Sequence, residues 1–411
     1  MKIRSITYFL NPGWPLNEAK LRQAGDFIST AKPAFSKAGY EVQTARLATT
    51  PFPQWLPSLD QAELIRLALR LEESSSELGY DYVSLGPALP QFPQSYDVIP
   101  AILAATEAVF LAGSLTDGTT TPHSVSLEAV HSCGRVIHQA AEISPDGFAN
   151  LRFAALANVP AGAPFFPAAY HLGEKPSFAL ATEAADLAVL TFDQAGSLQE
   201  ARRRLIAGVE THARMLESVA GELSSQFELQ FGGIDFTLAP FPERALSFGM
   251  AMELGGAPAV GLHGSLAAAA ILTDALDQAD FHRTGFNGLM LPVLEDAVLA
   301  DRAAQGTLTV KDLLLYSTVC GTGLDTVPLP GDTSAEQLDA VLVDLAALSL
   351  RLDKPLTARL MPIPGKKAGD ATGFDFAYFA NSRILALEAE PLTRFLAGAE
   401  KIPLNHRDLT D

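Results

Sequence analysis

Residues 2–49, KIRSITYFLNPGWPLNEAKLRQAGDFISTAKPAFSKAGYEVQTARLAT, read as strand, helix and strand. The first run carries its apolar side chains at Ile3, Ile6, Tyr8 and Leu10, without a long apolar core or a small-residue cleavage site. It reads as a first β-strand and not as a signal peptide. A helical pattern over residues 17–38 stops at Gly39, and EVQTARLAT (41–49) opens the next strand. The unit recurs. A helix over 60–78 has Asp60 as its N-cap and Gly79 as its stop, DYVSLG leads to a helix over 99–105, and EAVFLAGSL leads to one over 124–141. RFAALANV and DLAVLTFD (186–193) follow as further strands, and then a long amphipathic helix over 198–223. Strands separated by one helix each are the signature of parallel βα units. The second half is less regular. FELQFGGIDFTLAPFP and ARLMPIPGKKAG read as strands running into Gly/Pro-rich loops, with helices over 265–279 and 335–352. No low-complexity linker and no fixed repeat interrupts the chain. The expectation is a single large α/β domain over 1–411, built as a barrel.

The 411 residues include 29 basic and 47 acidic side chains, a net charge of −18. So acidic a chain assembles no broad basic face for phosphates, which argues against nucleic acid and against an anionic membrane surface as partners. The longest apolar candidate, residues 98–115, is interrupted by Glu107 and is no membrane span. Cys133 and Cys320 are the two cysteines, too few for a disulfide framework, and a reducing cytoplasmic location is expected.

In parallel α/β folds ligands gather in the loops after strands. Those loops hold residues 158–174, 232–244, 261–265, 290–296, 320–333 and 362–370. Carboxylates dominate them: Asp235, Glu295, Asp296, Asp325, Asp332 and Asp370. Two carboxylates in one pocket split their pKa values and serve as acid and base, and several together bind a hard divalent cation. Asp296 is the candidate metal ligand. Asp332 has a second reading as the cap of the helix that opens at Ala335. His171 and Glu174, three residues apart, offer an oriented base and a substrate contact. His263, between glycines, and the Lys366–Lys367 pair offer positive contacts to an acidic substrate, although a solvated turn explains the lysines equally well. Cys320 is either a small buried packing residue or a thiol at a pocket floor, where Gly321 leaves room for a substrate to approach the backbone. The helix before it, over 310–318, presents its C-terminus to Cys320, and a helix C-terminus disfavours a thiolate. No P-loop, GxGxxG, GxSxG, HExxH, CxxC or EF-hand pattern is present, so no nucleotide cofactor is expected.

Five segments, NVPAGAPFFPAAYHLGE (158–174), GGIDFTLAP (232–240), GLMLPVLEDA (288–297), VCGTGLDTVPLPGDT (319–333) and RLMPIPGKKAGD (359–370), together resemble the DUF711 family, also called UPF0210, across most of the chain. The resemblance implies an α/β barrel of about ten strands made of two half-barrels, similar to the pyruvate formate-lyase-like glycyl-radical enzymes, and a homodimer. It makes Cys320 a counterpart of the thiol in such barrels. It does not bring radical chemistry, because residues 371–411 contain only Gly373 and Gly398, in contexts unlike the radical loop.

The expected function is therefore an enzyme for a small polar or acidic metabolite. Carboxylate acid/base or metal-assisted chemistry of the hydrolase or lyase type would be carried by Cys320, Asp325, Asp332, Asp235, His171 and Glu295. Lys366, Asp370, His263 and Glu174 would contact the substrate. The alternative is a non-catalytic metabolite-binding or regulatory protein on an enzyme-derived barrel.

Overall fold

The structure, a computed structural model, describes residues 1–406. Nine strands form the main sheet, in the spatial order Gly323–Pro330, Leu356–Ile363, Phe153–Ala157, Val109–Ser114, Tyr82–Ala88, Val42–Thr49, Lys2–Leu10, Ser177–Glu183, Gln230–Asp235. Neighbours are parallel except at two places: Lys2–Leu10 against Ser177–Glu183, and Phe153–Ala157 against Leu356–Ile363. Five parallel strands thus fill the centre, and a parallel pair of opposite direction flanks each side. The irregular segment 282–293 meets both edges of this sheet. Ile234 pairs with Arg283, Thr237 with Gly288, and Pro292 with Asp325. A small three-stranded sheet brings Lys401–Pro403 and Thr116–Asp117 to either side of Ser124–Ser126.

Local chemistry sets the helices that cover the outer face. Asn17 caps the helix Glu18–Lys37 by accepting from the Ala19 and Lys20 N–H groups, and Asp60 caps Gln61–Glu77 through the Glu63 N–H. The first of these helices buries Leu21, Phe27, Ile28 and Phe35, and the Phe27 ring lies 5.4 Å from Tyr8 and 4.8 Å from Phe178. Each such ring contributes roughly 1.5–3 kcal/mol by leaving water. The inner face is different. It carries the small residues Ala48, Ala112, Ala154 and Ala179, which make room for residues 159–171 to run across it. That segment places Phe165 and Phe166 against the strands, while Thr7 donates to Pro164 O and Ser84 to Ala169 O.

Two sequence expectations are corrected. DLAVLTFD lies in the helix Ala185–Gln194, and the strand is the preceding Ser177–Glu183. Its buried residues, Ala185, Ala188, Thr191 and Phe192, fall at helical spacing, and a short apolar run fits either period. Residues 320–333 are not a loop after a strand. Most of them form the strand Gly323–Pro330, so Asp325 projects from within the sheet.

Candidate functional site

Three arginines sit inside strands on the inner face: Arg4, Arg46 and Arg359. Backbone irregularities aim two of the side chains involved. Across the first antiparallel junction Ile3 faces Thr182 and Ser5 faces Ala181, so Arg4 is the extra residue of a bulge. On the other side Leu324 faces Ala358 and Val327 faces Leu360, so the Asp325–Thr326 pair is bulged opposite Arg359, with Thr326 at φ 41°.

The charges form one chain. Arg4 donates to Glu183 at 3.1 Å and to Glu295. Arg359 donates through Nη2 to the other oxygen of Glu295 at 2.8 Å, and through Nε to Asp325 at 2.6 Å. Gln43 adds a bond to Glu183 at 2.7 Å. Burial works against the Arg4 and Arg359 cations, but their carboxylate neighbours outweigh it and hold both pKa values above the ordinary value. Burial pushes the Asp325 carboxyl up; Arg359 opposes the shift and Glu295 adds to it. Asp325 is 1% exposed, and its Oδ2 meets no partner. An unmet buried carboxylate oxygen costs free energy, which protonation relieves.

Beside this chain lies a cavity of about 70 Å³ whose lining includes Arg4, Arg46, Glu295 and Arg359. Its walls are largely aromatic: Tyr82, Phe110, Phe165, Phe166, Phe376 and Tyr378. Arg46 differs from the other two arginines. Its Nε donates to Thr44 Oγ1 at 3.0 Å and its guanidinium lies 5.2 Å from the Phe166 ring centre, but it forms no ion pair among the described residues. Burial first, and the Arg4 charge second, bring its pKa down to about 10, so it remains charged at neutral pH.

Of the residues selected from sequence, Glu295 lines the cavity and Asp325 stands one guanidinium behind it. The others lie elsewhere. Asp235 is buried and ties a turn, accepting from Thr237 Oγ1 at 2.5 Å and from the Phe286 and Asn287 N–H groups. Asp296 caps the helix Ala297–Ala304 and accepts from Ser247 Oγ and from the N–H groups of Gly249, Val298 and Leu299. A carboxylate so occupied has little left for a cation, and no three His, Cys, Asp or Glu side chains converge for a metal ion among the described residues. Asp332 is exposed, and the cap of Ala335–Leu352 is Ser334, in a capping box with Gln337. Glu174, His263, Lys366 and Asp370 are exposed and away from the cavity lining; Asp370 accepts from the Lys367 N–H at 2.7 Å. His171 is 3% exposed with its Nε2 unpartnered, and burial lowers its pKa. Its N–H bonds Thr49 at the far end of strand Val42–Thr49 from Thr44. Cys320 is buried, accepts from the Gly323 N–H at 3.3 Å, and borders a separate depression with Lys354 and Asn287. The room at Gly321 is taken by the chain itself. A Cβ there would stand 2.2 Å from Asn287 O, so glycine permits two backbones to cross and does not admit a substrate.

With this geometry in hand, the comparisons with known proteins place the chain. A family described as Uncharacterised ACR (DUF711) matches residues 1–380. The chain belongs to the DUF711 family. A UPF0210 protein from Pyrobaculum arsenaticum is 32% identical over 396 residues, covering 90% of this chain and 87% of the relative. One from Acetivibrio thermocellus is 30% identical, covering 86% and 81%, and one from Methanococcoides burtonii is 27% identical, covering 94% and 88%. No helix among the described residues of this DUF711 member is long and apolar enough to cross a membrane.

Proposed function

We propose that this protein is an enzyme that seats a small anionic metabolite against Arg46 and transfers a proton with Glu295, in chemistry of the hydrolase or lyase type. The observation that carries the reading is the unpaired Arg46 guanidinium in a cavity where every other charge is already matched. A partly buried cation without a partner is costly and is compensated by a ligand of opposite charge. Glu295 is the one carboxylate in the cavity lining among the described residues, and Asp325, coupled to it through Arg359, sets its electrostatic surroundings. The pairing of residues 282–293 with both sheet edges supports a further reading, that the sheet closes into a barrel of about ten strands around this cavity.

A second reading, a metabolite-binding protein without turnover, is favoured by one feature. Both oxygens of Glu295 are held by arginines, which suits a fixed wall better than a proton acceptor. Metabolite profiling separates the two. The wild type and Asp325→Asn are incubated with a pool of small anionic metabolites. Depletion of one compound by the wild type and not by the variant supports the enzyme. A compound retained unchanged by both supports the binding protein. No retention and no depletion contradict both.

A further inference from the structure

We infer that the ligand of this cavity is a monocarboxylate with a compact apolar body, held end-on by the Arg46 guanidinium. The inference rests on the reading of the cavity as an anion site and names the class of anion. Charge comes first. Three guanidinium groups, of Arg4, Arg46 and Arg359, face three carboxylates, of Glu183, Glu295 and Asp325. Arg4 and Arg359 between them hold all three carboxylates, and Arg46 holds none. The six charges balance in total, but Arg46 is the cation among them without an ion-pair partner among the described residues. A monoanion adds one charge that Arg46 can pair, whereas a phosphate dianion adds a second negative charge that finds no free cation beside Glu295.

Geometry comes second. The Arg46 Nε is anchored on Thr44 Oγ1, and Thr44 in turn donates to Arg4 O at 2.7 Å. That leaves the two terminal amino groups as a fork of fixed orientation. A planar fork matches the two oxygens of a carboxylate, which is where arginine outperforms a point charge.

The walls and the size come third. Beyond the fork the rings and thioether of Tyr82, Phe110, Phe165, Phe166 and Met290 make up most of the wall, and the polar side chains among them, Gln43, Thr44, Thr182 and Thr237, already donate within the protein. Such walls reward a largely apolar body and leave few donors for extra hydroxyl or phosphate oxygens. At about 70 Å³ the space is well below the roughly 150 Å³ in which an apolar cavity takes up benzene. A short aliphatic acid suits that space better than an aromatic one.

Thermal shift and calorimetry on the full chain test this with four probes: butyrate, benzoate, inorganic phosphate and butylamine. Butyrate is expected to bind saturably and raise Tm, with butylamine inert and phosphate and benzoate much weaker. Arg46→Gln should weaken butyrate by about ten- to a hundred-fold through the lost charge-assisted bonds. Arg46→Lys, which keeps the charge and loses the fork, should fall between the two, and an unchanged Tm for either variant shows that it folds. Tighter binding of phosphate or benzoate than butyrate, lost in Arg46→Gln, overturns the monocarboxylate class and leaves the anion site standing. Butyrate binding that Arg46→Gln does not change, or no anion binding at all, overturns both.

Discussion

Arg359 Nε donates to Asp325 Oδ1 at 2.6 Å, from one strand to a bulge in its neighbour, with both side chains almost wholly buried. The bond uses one oxygen of the carboxylate and leaves the other without a partner. Local strand chemistry, the packing of the inner face and the proposed site meet in that pair.

Asp325 should carry a pH signature. Its folded pKa is raised above the unfolded value of 3.8, mainly by burial. Between those two values the folded state binds more protons than the unfolded one, so stability falls as pH rises through the window. Asp325→Asn removes the titration and keeps an acceptor for Arg359. Its stability relative to the wild type should climb as pH goes from about 4 to 7, as followed by urea unfolding at several pH values. A flat difference would refute the assignment.

Glu295→Gln should be costly. It deprives Arg4 and Arg359 of a shared counter-charge, although Glu183 and Asp325 still hold one each. Breaking a buried pair costs about 3–5 kcal/mol, and the remaining partners put this case at the lower end. A urea-unfolding loss below about 0.5 kcal/mol, the scale of an ordinary surface change, would show that the network is unimportant to the fold.

Asp296→Ala should separate stability from binding. The residue holds Ser247 and three backbone N–H groups and does not line the cavity. Loss of the cap costs about 1–2 kcal/mol or more. Calorimetry on the folded fraction should show anion affinity equal to that of the wild type; a changed affinity would tie this carboxylate to the site.

His171 predicts acid sensitivity. Burial lowers its folded pKa below the unfolded value of 6.5, so as pH falls through that value the unfolded chain takes up the proton first. Stability should decline from about pH 6.5 downward and level off below the folded pKa. His171→Gln should flatten part of this slope, with a remainder from His212, whose pKa burial also lowers. Thermal unfolding between pH 7 and 5 should show this as about a smaller loss of Tm in the variant.

The helices of the first half were readable from caps and stops because those signals are local. Asn17 and Asp60 stand where the sequence puts them; in the second half the helix at Ala335 starts as read, but its cap is Ser334 and not Asp332. The swap between DLAVLTFD and Ser177–Glu183 came from a run too short for its period to decide. Within the candidate site, Glu295 and Asp325 are readable as carboxylates in Gly/Pro-rich sequence, while Arg4, Arg46, Arg359 and Glu183 are not among the residues that reading selects. A signal was present. Each of these arginines interrupts an apolar strand-like run, KIRSITYFL, EVQTARLAT or ARLMPIPG, and a charge inside a strand needs a polar interior to face. The loops after strands do not hold them, because the cavity is bordered by the first residues of the Tyr82–Ala88 and Val109–Ser114 strands as well as by later strand ends. The bulges at Arg4 and Asp325 depend on register between distant segments, which one sequence does not display.

The central claim is that Arg46 is an unmatched cation kept for a ligand, and its most direct test is the Tm of Arg46→Met without and with butyrate. Methionine keeps the apolar stem against Phe166 and removes the charge. The account predicts that the ligand-free variant melts at or above the wild-type temperature and that butyrate no longer raises it. A variant that melts several degrees lower and still responds to butyrate would contradict it.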